Sequence, residues 1–212
     1  MFNLGEAVRE LIVIGASTGG TKAVESLLTQ VPGDTPPIVV VQHILPEFSS
    51  RFVEHLSRVC HIGVVEAVHE TRLVSGTAYV APGGAHTLVE WRDASLRALV
   101  VVSPAVNFHR PSVDLLFQSA AQLRDVAVVG VVLTGMGHDG AQGMVALRQA
   151  GAETIAQDEH SSVVFGMPKA AIERGGAAQV ATLTDMVPAI LESLGRLRAR
   201  RLAVRRPAGA LR

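Results

Sequence analysis

The sequence predicts an α/β fold: a three-layer α/β/α, doubly wound domain with a mainly parallel sheet and one antiparallel β-hairpin. Three short apolar runs rich in β-branched residues, at 11–15, 38–41 and 126–133, indicate strands buried on both faces of a sheet. A helical pattern follows each run. Such alternation of strands and helices favours parallel strands joined by right-handed crossovers, with helices on both faces.

The elements follow one another without a linker or an internal repeat, and prolines 36, 37 and 46 mark the early boundaries. Predicted strands lie at about 11–15, 37–42, 77–81, 126–133 and 153–157, with a hairpin of strands 86–91 and 97–103 joined by residues 92–95. Predicted helices lie at about 19–30, 47–59, 112–124, 140–150, 167–175 and 184–198. We therefore expect one domain over residues 1–198. An arginine-rich tail at 199–212 is expected to be a flexible, solvated terminus, with docking to an acidic partner as the alternative.

Composition excludes several classes of protein. Of the 212 residues, 48% are hydrophobic and 18% charged, which supports a substantial core, and the formal net charge of zero gives no electrostatic case for nucleic acid or an anionic membrane. The longest apolar stretch, Val126 to Leu133, is far shorter than the ~20 residues needed to span a bilayer. The N-terminus lacks a secretory signal pattern, and the single cysteine, Cys60, permits no internal disulfide. We expect a cytoplasmic globular protein.

The first predicted strand ends in a glycine-rich turn that contains Ser17. The segment Gly15-Ala16-Ser17-Thr18-Gly19 fits the G-x-S-x-G pattern of serine hydrolases, and the following helix start offers unpaired backbone N–H groups. The alternatives are a plain tight turn and a phosphate-binding loop. A phosphate-binding loop is disfavoured because Thr21-Lys22 stands where that motif has lysine followed by serine or threonine.

Two further polar residues follow the predicted central strands. His43 comes just after the strand ending at 42, and Asp139 lies in a glycine-rich loop after the strand ending at 133. Because ligands bind beyond the carboxyl ends of parallel strands, Ser17, His43 and Asp139 could form one site. Acyl transfer uses a hydroxyl, an imidazole that takes its proton and a carboxylate that orients the imidazole.

The residues alone leave the carboxylate open. Asp139 could instead cap a helix, and Asp114 is a second candidate for the orienting carboxylate. Near Asp114, His109 and Arg110 could reach toward a substrate carboxylate. No His-x-x-x-His or His-Glu-x-x-His spacing is present, so no zinc site is expected.

Together these motifs resemble the catalytic domain of the CheB-type chemotaxis receptor protein-glutamate methylesterases. The resemblance spans about residues 11 to 195 in the family's order. Its motifs are Gly15-Ala16-Ser17-Thr18-Gly19-Gly20, Gln42-His43, Tyr79-Val80-Ala81-Pro82-Gly83-Gly84 with His86, Arg110-Pro111-Ser112-Val113-Asp114, Leu133-Thr134-Gly135-Met136-Gly137-His138-Asp139-Gly140 and Val163-Val164-Phe165-Gly166-Met167-Pro168. The resemblance implies Ser17 as nucleophile, His43 as general base and acid, and Asp139 rather than Asp114 as the orienting carboxylate.

The resemblance also implies a reaction and partners. The implied substrates are glutamate γ-methyl esters on the cytoplasmic helical bundle of methylated chemoreceptors, with receptor glutamines as further substrates in some family members. No metal or organic cofactor is implied, and the backbones of Thr18 and Met136 are candidate donors to the oxyanion. Family members usually carry an N-terminal receiver domain, for which about ten residues before the first strand are too few. The chain is then either a domain excised from a longer protein or a protein without a receiver, and a separate receiver or regulatory protein is a candidate partner. A small-molecule esterase and a non-enzymatic receptor-binding module are the alternatives.

Overall fold

The computed structural model describes residues 9–205, which form two sheets and six helices. The strands are β1 (Glu10–Ala16), β2 (Ile38–Gln42), β3 (Gly63–Glu66), β4 (Thr71–Arg72), β5 (Thr77–Val80), β6 (His86–Arg92), β7 (Ser95–Val101), β8 (Ala127–Val132), β9 (Glu153–Gln157) and β10 (Gln179–Ala181). The helices are α1 (Gly20–Leu28), α2 (Pro46–Val59), α3 (Val113–Ala121), α4 (Ala141–Gln149), α5 (Met167–Glu173) and α6 (Met186–Arg205).

The main sheet has seven strands in the order β10-β9-β8-β1-β2-β5-β3, and all of its neighbouring pairs are parallel. A smaller antiparallel sheet has the order β4-β7-β6. Its β6–β7 pair is the predicted hairpin, closing with Arg92 opposite Ser95. The predicted fold class is confirmed.

The apolar pattern of β1 explains the three layers. Ile12 and Ile14 face one core, which α1, α2 and α6 cover, whereas Leu11 and Val13 face the other core, which α3, α4 and α5 cover. All four side chains are fully buried. A strand that is apolar at every position needs such cover on both faces, which is why β1 lies at the centre of the sheet.

Several predicted boundaries needed correction. The sequence analysis did not identify β3, β4 or β10. The last helix was predicted to end at residue 198, but α6 continues to Arg205, so the boundary between the predicted domain and the predicted tail falls inside a helix. Residues 206–212 of that tail lie outside the described residues. Within the described part of the chain, no helix combines the length and apolar character that crossing a membrane requires.

Arginine contacts hold the end of α6 against the sheet. Arg198 donates two hydrogen bonds of 2.7 Å to Glu10. Arg200 forms an ion pair of 2.9 Å with Glu153, and Arg201 donates to the backbone oxygen of Arg9 at 2.8 Å. These partners lie at the starts of β1 and β9, so the helix crosses the edge of the sheet opposite the carboxyl ends of the strands.

Candidate active site

The Ser17 turn is held between two parts of the sheet. The backbone N–H of Ser17 donates to the carbonyl of Thr134 just after β8 (3.0 Å), and its carbonyl accepts from the N–H of Gly20 (2.7 Å). Gly19, with φ of 79°, makes the left-handed turn that starts α1. Gly135 lies so close that a Cβ there would stand 2.8 Å from the Cβ of Ser17. The half-buried Ser17 therefore lies against the loop after β8.

His43 and Asp139 meet beside this turn. The Nε2 of His43 lies 2.8 Å from Oδ2 of Asp139, and the two side chains are 8% and 0% exposed. Because a carboxylate only accepts, Nε2 carries the proton of this hydrogen bond. The backbone N–H of His43 donates to the carbonyl of Ala16 at 2.9 Å, which ties the end of β2 to the residue before Ser17.

The start of α3 surrounds the Asp139 carboxylate. Its Oδ2 also accepts from the backbone N–H of Val113 (2.7 Å), and its Oδ1 accepts from the backbone N–H of Asp114 (3.2 Å). The Ser112 hydroxyl (2.9 Å) and the Asn107 amide (3.0 Å) also donate to Oδ1. Unpaired N–H groups and a partial positive charge at a helix start stabilise an anion. Asp139 therefore binds the start of α3. It does not cap α4, the helix that follows it in the sequence, because the N-cap of α4 is Gly140.

These contacts determine the charge of the two buried aspartates. Burial alone would raise the pKa of Asp139, but the hydrogen bonds from His43, Asn107 and Val113 outweigh burial and hold that pKa well below its usual value. For Asp114, burial dominates and raises the pKa, and its Oδ1 accepts from the Gly143 N–H at 2.7 Å. The ionised carboxylate that contacts His43 is thus Asp139, and Asp114 binds the start of α4.

His109 packs on the face of His43. The ring centroids are 3.7 Å apart and the planes differ by 8°. Burial, and then the charge of a protonated His43, lower the pKa of His109, which favours a neutral ring at this position. The Arg110 guanidinium donates to the carbonyl of Ser103 at 3.0 Å. Of the two residues expected to reach a substrate, His109 thus lies in the site and Arg110 at its exposed rim.

Three side chains in the site carry atoms that could bind a metal ion: His43, His109 and Asp139. Their nitrogen and oxygen atoms lie within 4.8 Å of one another, which is close enough to ask whether their geometry suits a metal. Imidazole nitrogens coordinate along lone pairs in the ring plane. The lone pairs of two stacked, nearly parallel rings do not converge on one ion. The Asp139 oxygens are already occupied by hydrogen bonds, so the arrangement fits proton transfer better than metal binding.

Two backbone N–H groups beside Ser17 are available to a ligand. Among residues 9–205, no acceptor bonds the N–H of Thr18 or of Met136. Thr18 is exposed, and Met136 follows Gly135, the glycine that contacts Ser17. The Met136 side chain is 71% exposed. Unpaired backbone N–H groups near a nucleophilic hydroxyl can stabilise a developing oxyanion.

Among the described residues, no hydrogen bond joins the side chains of Ser17 and His43. Within the described residues, the Ser17 hydroxyl has no hydrogen-bond partner, and the Nδ1 of His43 is buried without one. Since Nε2 is bonded to Asp139, Nδ1 is the nitrogen that remains available to accept a proton. Catalytic hydrogen bonds are often long or absent before substrate binds.

Asn107, which the sequence did not predict as a site residue, lies at the centre of this network. Its amide donates to both Asp114 (2.8 Å) and Asp139 (3.0 Å) from a left-handed backbone conformation with φ of 49°. Asparagine tolerates that conformation better than most residues, and this preference is the one feature of the sequence that points to a special backbone position at 107. Ser112 caps the start of α3, and its hydroxyl also donates to Asp139.

A cleft of about 1220 Å³ lies far from this site, where the end of α6 faces the starts of β1 and β8. Its lining includes Glu10, Val126 and Arg198, and none of Ser17, His43 and Asp139. The candidate active site is instead an open rim that exposes Leu45, Phe108 and Met136. An open rim suits part of a large molecule better than an enclosed small ligand.

Fold and site together define a doubly wound α/β/α domain with a hydroxyl, an imidazole and an ionised carboxylate at the carboxyl edge of its sheet, the side-chain set of serine-dependent acyl transfer. A family model described as CheB methylesterase matches residues 12–190. The chain belongs to this family, which confirms the predicted resemblance.

The relatives agree with this assignment. The chain is 47% identical over 191 residues to protein-glutamate methylesterase/protein-glutamine glutaminase 2 of Xanthomonas campestris pv. campestris, covering 90% of this chain and 54% of the relative. It is 48% identical over 188 residues to protein-glutamate methylesterase/protein-glutamine glutaminase 1 of Burkholderia pseudomallei, covering 89% of this chain and 52% of the relative. The crystal structure of the Thermotoga maritima CheB methylesterase catalytic domain superposes with a TM-score of 0.83 at 34% identity, covering 86% of this chain and 97% of that one. The chain thus spans about half the length of the curated relatives it matches.

Proposed function

We propose that this chain is a serine hydrolase that removes methyl groups from glutamate γ-methyl esters on chemoreceptor cytoplasmic domains. The observation that carries the proposal is the 2.8 Å hydrogen bond between His43 and the ionised Asp139, formed beside the Ser17 turn. The names of the relatives, which pair methylesterase with glutaminase, support the substrate class. Receptor glutamines are the second substrate in the proposal, because ester and amide cleavage share the same acyl-enzyme chemistry.

In the proposed mechanism, Ser17 Oγ attacks the ester carbonyl while Nδ1 of His43 takes its proton. Asp139 holds the ring orientation and stabilises the imidazolium that forms. The N–H groups of Thr18 and Met136 donate to the oxyanion. His43 then returns the proton to the departing methoxide, and methanol leaves. A water molecule repeats the sequence on the acyl-enzyme and restores the glutamate.

The surroundings of the site assign supporting roles. His109 covers one face of the His43 ring, excludes water from it and stays neutral beside the imidazolium. Arg110 stands at the exposed rim, where a cation can attract the acidic side chains of a receptor helix. The proposed partners are the methylated receptor bundle in the cytoplasm and a separate receiver or regulatory protein.

The central test is Ser17→Ala, assayed by methanol release from methylated receptor membranes. Its rate should fall on the order of 10³-fold or more. Its melting temperature should stay unchanged, because the hydrogen bonds of Ser17 to the described residues all involve its backbone and none its hydroxyl. Thr21→Ala, in the first turn of α1, is the matched control and should keep the rate of the unmodified chain.

A fluorophosphonate probe separates the alternatives. It should label the unmodified chain and leave Ser17→Ala unlabelled. Absence of labelling together with tight receptor binding would identify a non-enzymatic module. Efficient hydrolysis of simple methyl esters that receptor peptides fail to inhibit would identify a small-molecule esterase.

A further inference from the structure

Gln42 is a buried polar side chain between the two catalytic strand ends. It is the last residue of β2, lies opposite Ala16 of β1 and is 3% exposed. The residues that flank these two positions are His43 and Ser17. Its amide therefore occupies the gap between the backbone of the proposed nucleophile and that of the proposed base.

The Gln42 amide donates to both catalytic residues. Its Nε2 lies 2.9 Å from the carbonyl oxygen of Ser17 and 3.0 Å from that of His43. Both acceptors are backbone carbonyls, which cannot donate, so the NH₂ group must face them. One planar group thus uses its two protons to fix two backbone carbonyls, its neighbour's at His43 and that of Ser17, which lies 25 residues from Gln42 in the sequence.

The other end of the amide lies over α1. Gln42 Oε1 is buried and has no hydrogen-bond partner among residues 9–205, and a Cβ on Gly20 would stand 2.2 Å from it. An unpaired buried acceptor is costly, and an apolar residue at position 42 would avoid that cost. The favourable free energy that offsets this cost must therefore come from the two hydrogen bonds that Nε2 donates. The glycine at position 20 leaves the space that this orientation of the amide requires.

We propose that Gln42 is a positioning residue that fixes the backbone of Ser17 relative to that of His43. This inference rests on the proposed hydrolase function. The carbonyl of Ser17 then has two donors, the N–H of Gly20 and the Gln42 amide, which together hold the turn that aims the hydroxyl and the Thr18 N–H. A displacement of about 1 Å between reacting groups can reduce a rate by up to ~10²-fold.

The test compares Gln42→Met, which keeps the length and burial of the side chain but has no N–H, with the unmodified chain. We expect kcat for methylated receptor to fall roughly 10- to 100-fold while KM changes by less than about twofold, because the change affects geometry at the reacting atoms and not substrate contacts. Fluorophosphonate labelling of Ser17 should slow by the same factor.

Thr154→Val is the matched control for a purely structural effect. Thr154 is fully buried at the start of β9, and its hydroxyl accepts from the N–H of Ala178 at 3.0 Å, far from the catalytic edge. This variant should lose a similar hydrogen bond and melt at a lower temperature, with kcat and labelling unchanged. All variants are assayed below their own melting temperatures.

Gln42→Glu is a second variant that tests the same positioning role. It provides the test if Gln42→Met does not fold. A buried carboxyl at this position is favoured in its neutral form and can donate at most one proton to the two carbonyls, so kcat and labelling should fall here as well. Retention of kcat and labelling within about twofold in either folded variant would overturn the inference. Failure of the unmodified chain to be labelled would instead contradict the proposed function.

Discussion

Replacing Asp139 with asparagine keeps the shape of the side chain but substitutes an NH₂ group for one acceptor oxygen. The native carboxylate accepts five hydrogen bonds, two at Oδ2 and three at Oδ1. In either orientation, the new NH₂ group faces at least one backbone N–H, that of Val113 or that of Asp114. No rotation of the amide removes this conflict between donors.

The size of the effect follows from these contacts. A buried donor left without an acceptor costs about 1–3 kcal/mol, and loss of the charge weakens the remaining bonds, so we expect destabilisation of about 3 kcal/mol. For a chain of this length, that corresponds to a drop in melting temperature of roughly 6–12 °C. The asparagine NH₂ would also favour the wrong tautomer of His43, and kcat should fall on the order of 10⁴-fold.

Asp114→Asn is the matched control for this experiment. Asp114 is also buried and also accepts from a backbone N–H and from Asn107, but it has no contact with His43. It should therefore lose stability while keeping most of its methanol release. Equal losses of kcat in the two variants, or an Asp139→Asn enzyme with more than a tenth of the unmodified activity, would refute the assignment of Asp139 as the orienting carboxylate.

Three further predictions concern pH, regulation and the stacked histidine. Because the pKa of Asp139 is lowered by folding, the unfolded chain takes up this proton first as the pH falls below about 3.9; the melting temperature should decline there, and less steeply in Asp139→Asn. The 212-residue chain should release methanol at the same rate with and without a small-molecule phosphodonor, and a rate that rises on its addition would contradict this. His109→Phe should retain the stack on His43 and most of kcat, whereas His109→Ala should expose the ring to water and lower kcat about tenfold; equal rates would exclude a role for stacking.

The central strands were predictable because burial on both faces leaves a strong signature. Runs such as Ile38–Val41 contain only apolar, β-branched residues, and each residue of that run is fully buried. The missed strands lack this signature. In β3, Val64 is the one buried side chain, and β10 has three residues, of which Ala181 is buried. Edge strands this short are determined by their neighbours in the sheet and not by their own pattern.

The length of α6 was not predictable for a related reason. Its arginines have the composition of a solvated terminus, and the partners that anchor them lie far away in the sequence. Arg198 is separated by 188 residues from Glu10. Ion pairs with such distant partners appear only once the strands that carry the acidic residues have been placed.

The candidate site was predictable where strand ends dictated it. The positions of His43 and Asp139 after two central strands predicted that they could meet, and the structure brings them to 2.8 Å. The placement of Asn107 and of the His109 ring depends on the loop before α3 folding back over the sheet edge. No spacing in the sequence encodes that path, so these contacts emerged from the structure alone.

The spatial order β8-β1-β2 has a consequence for how activity first arises. A chain still emerging from the ribosome possesses its serine and imidazole long before residue 139 has been synthesised. The proposed orienting carboxylate follows β8, so it reaches the site only when β8 docks on β1, a pairing between segments far apart in the sequence. We therefore expect a nascent or truncated polypeptide without β8 to be inactive. Recovery of turnover during refolding should report the docking of β8 on β1.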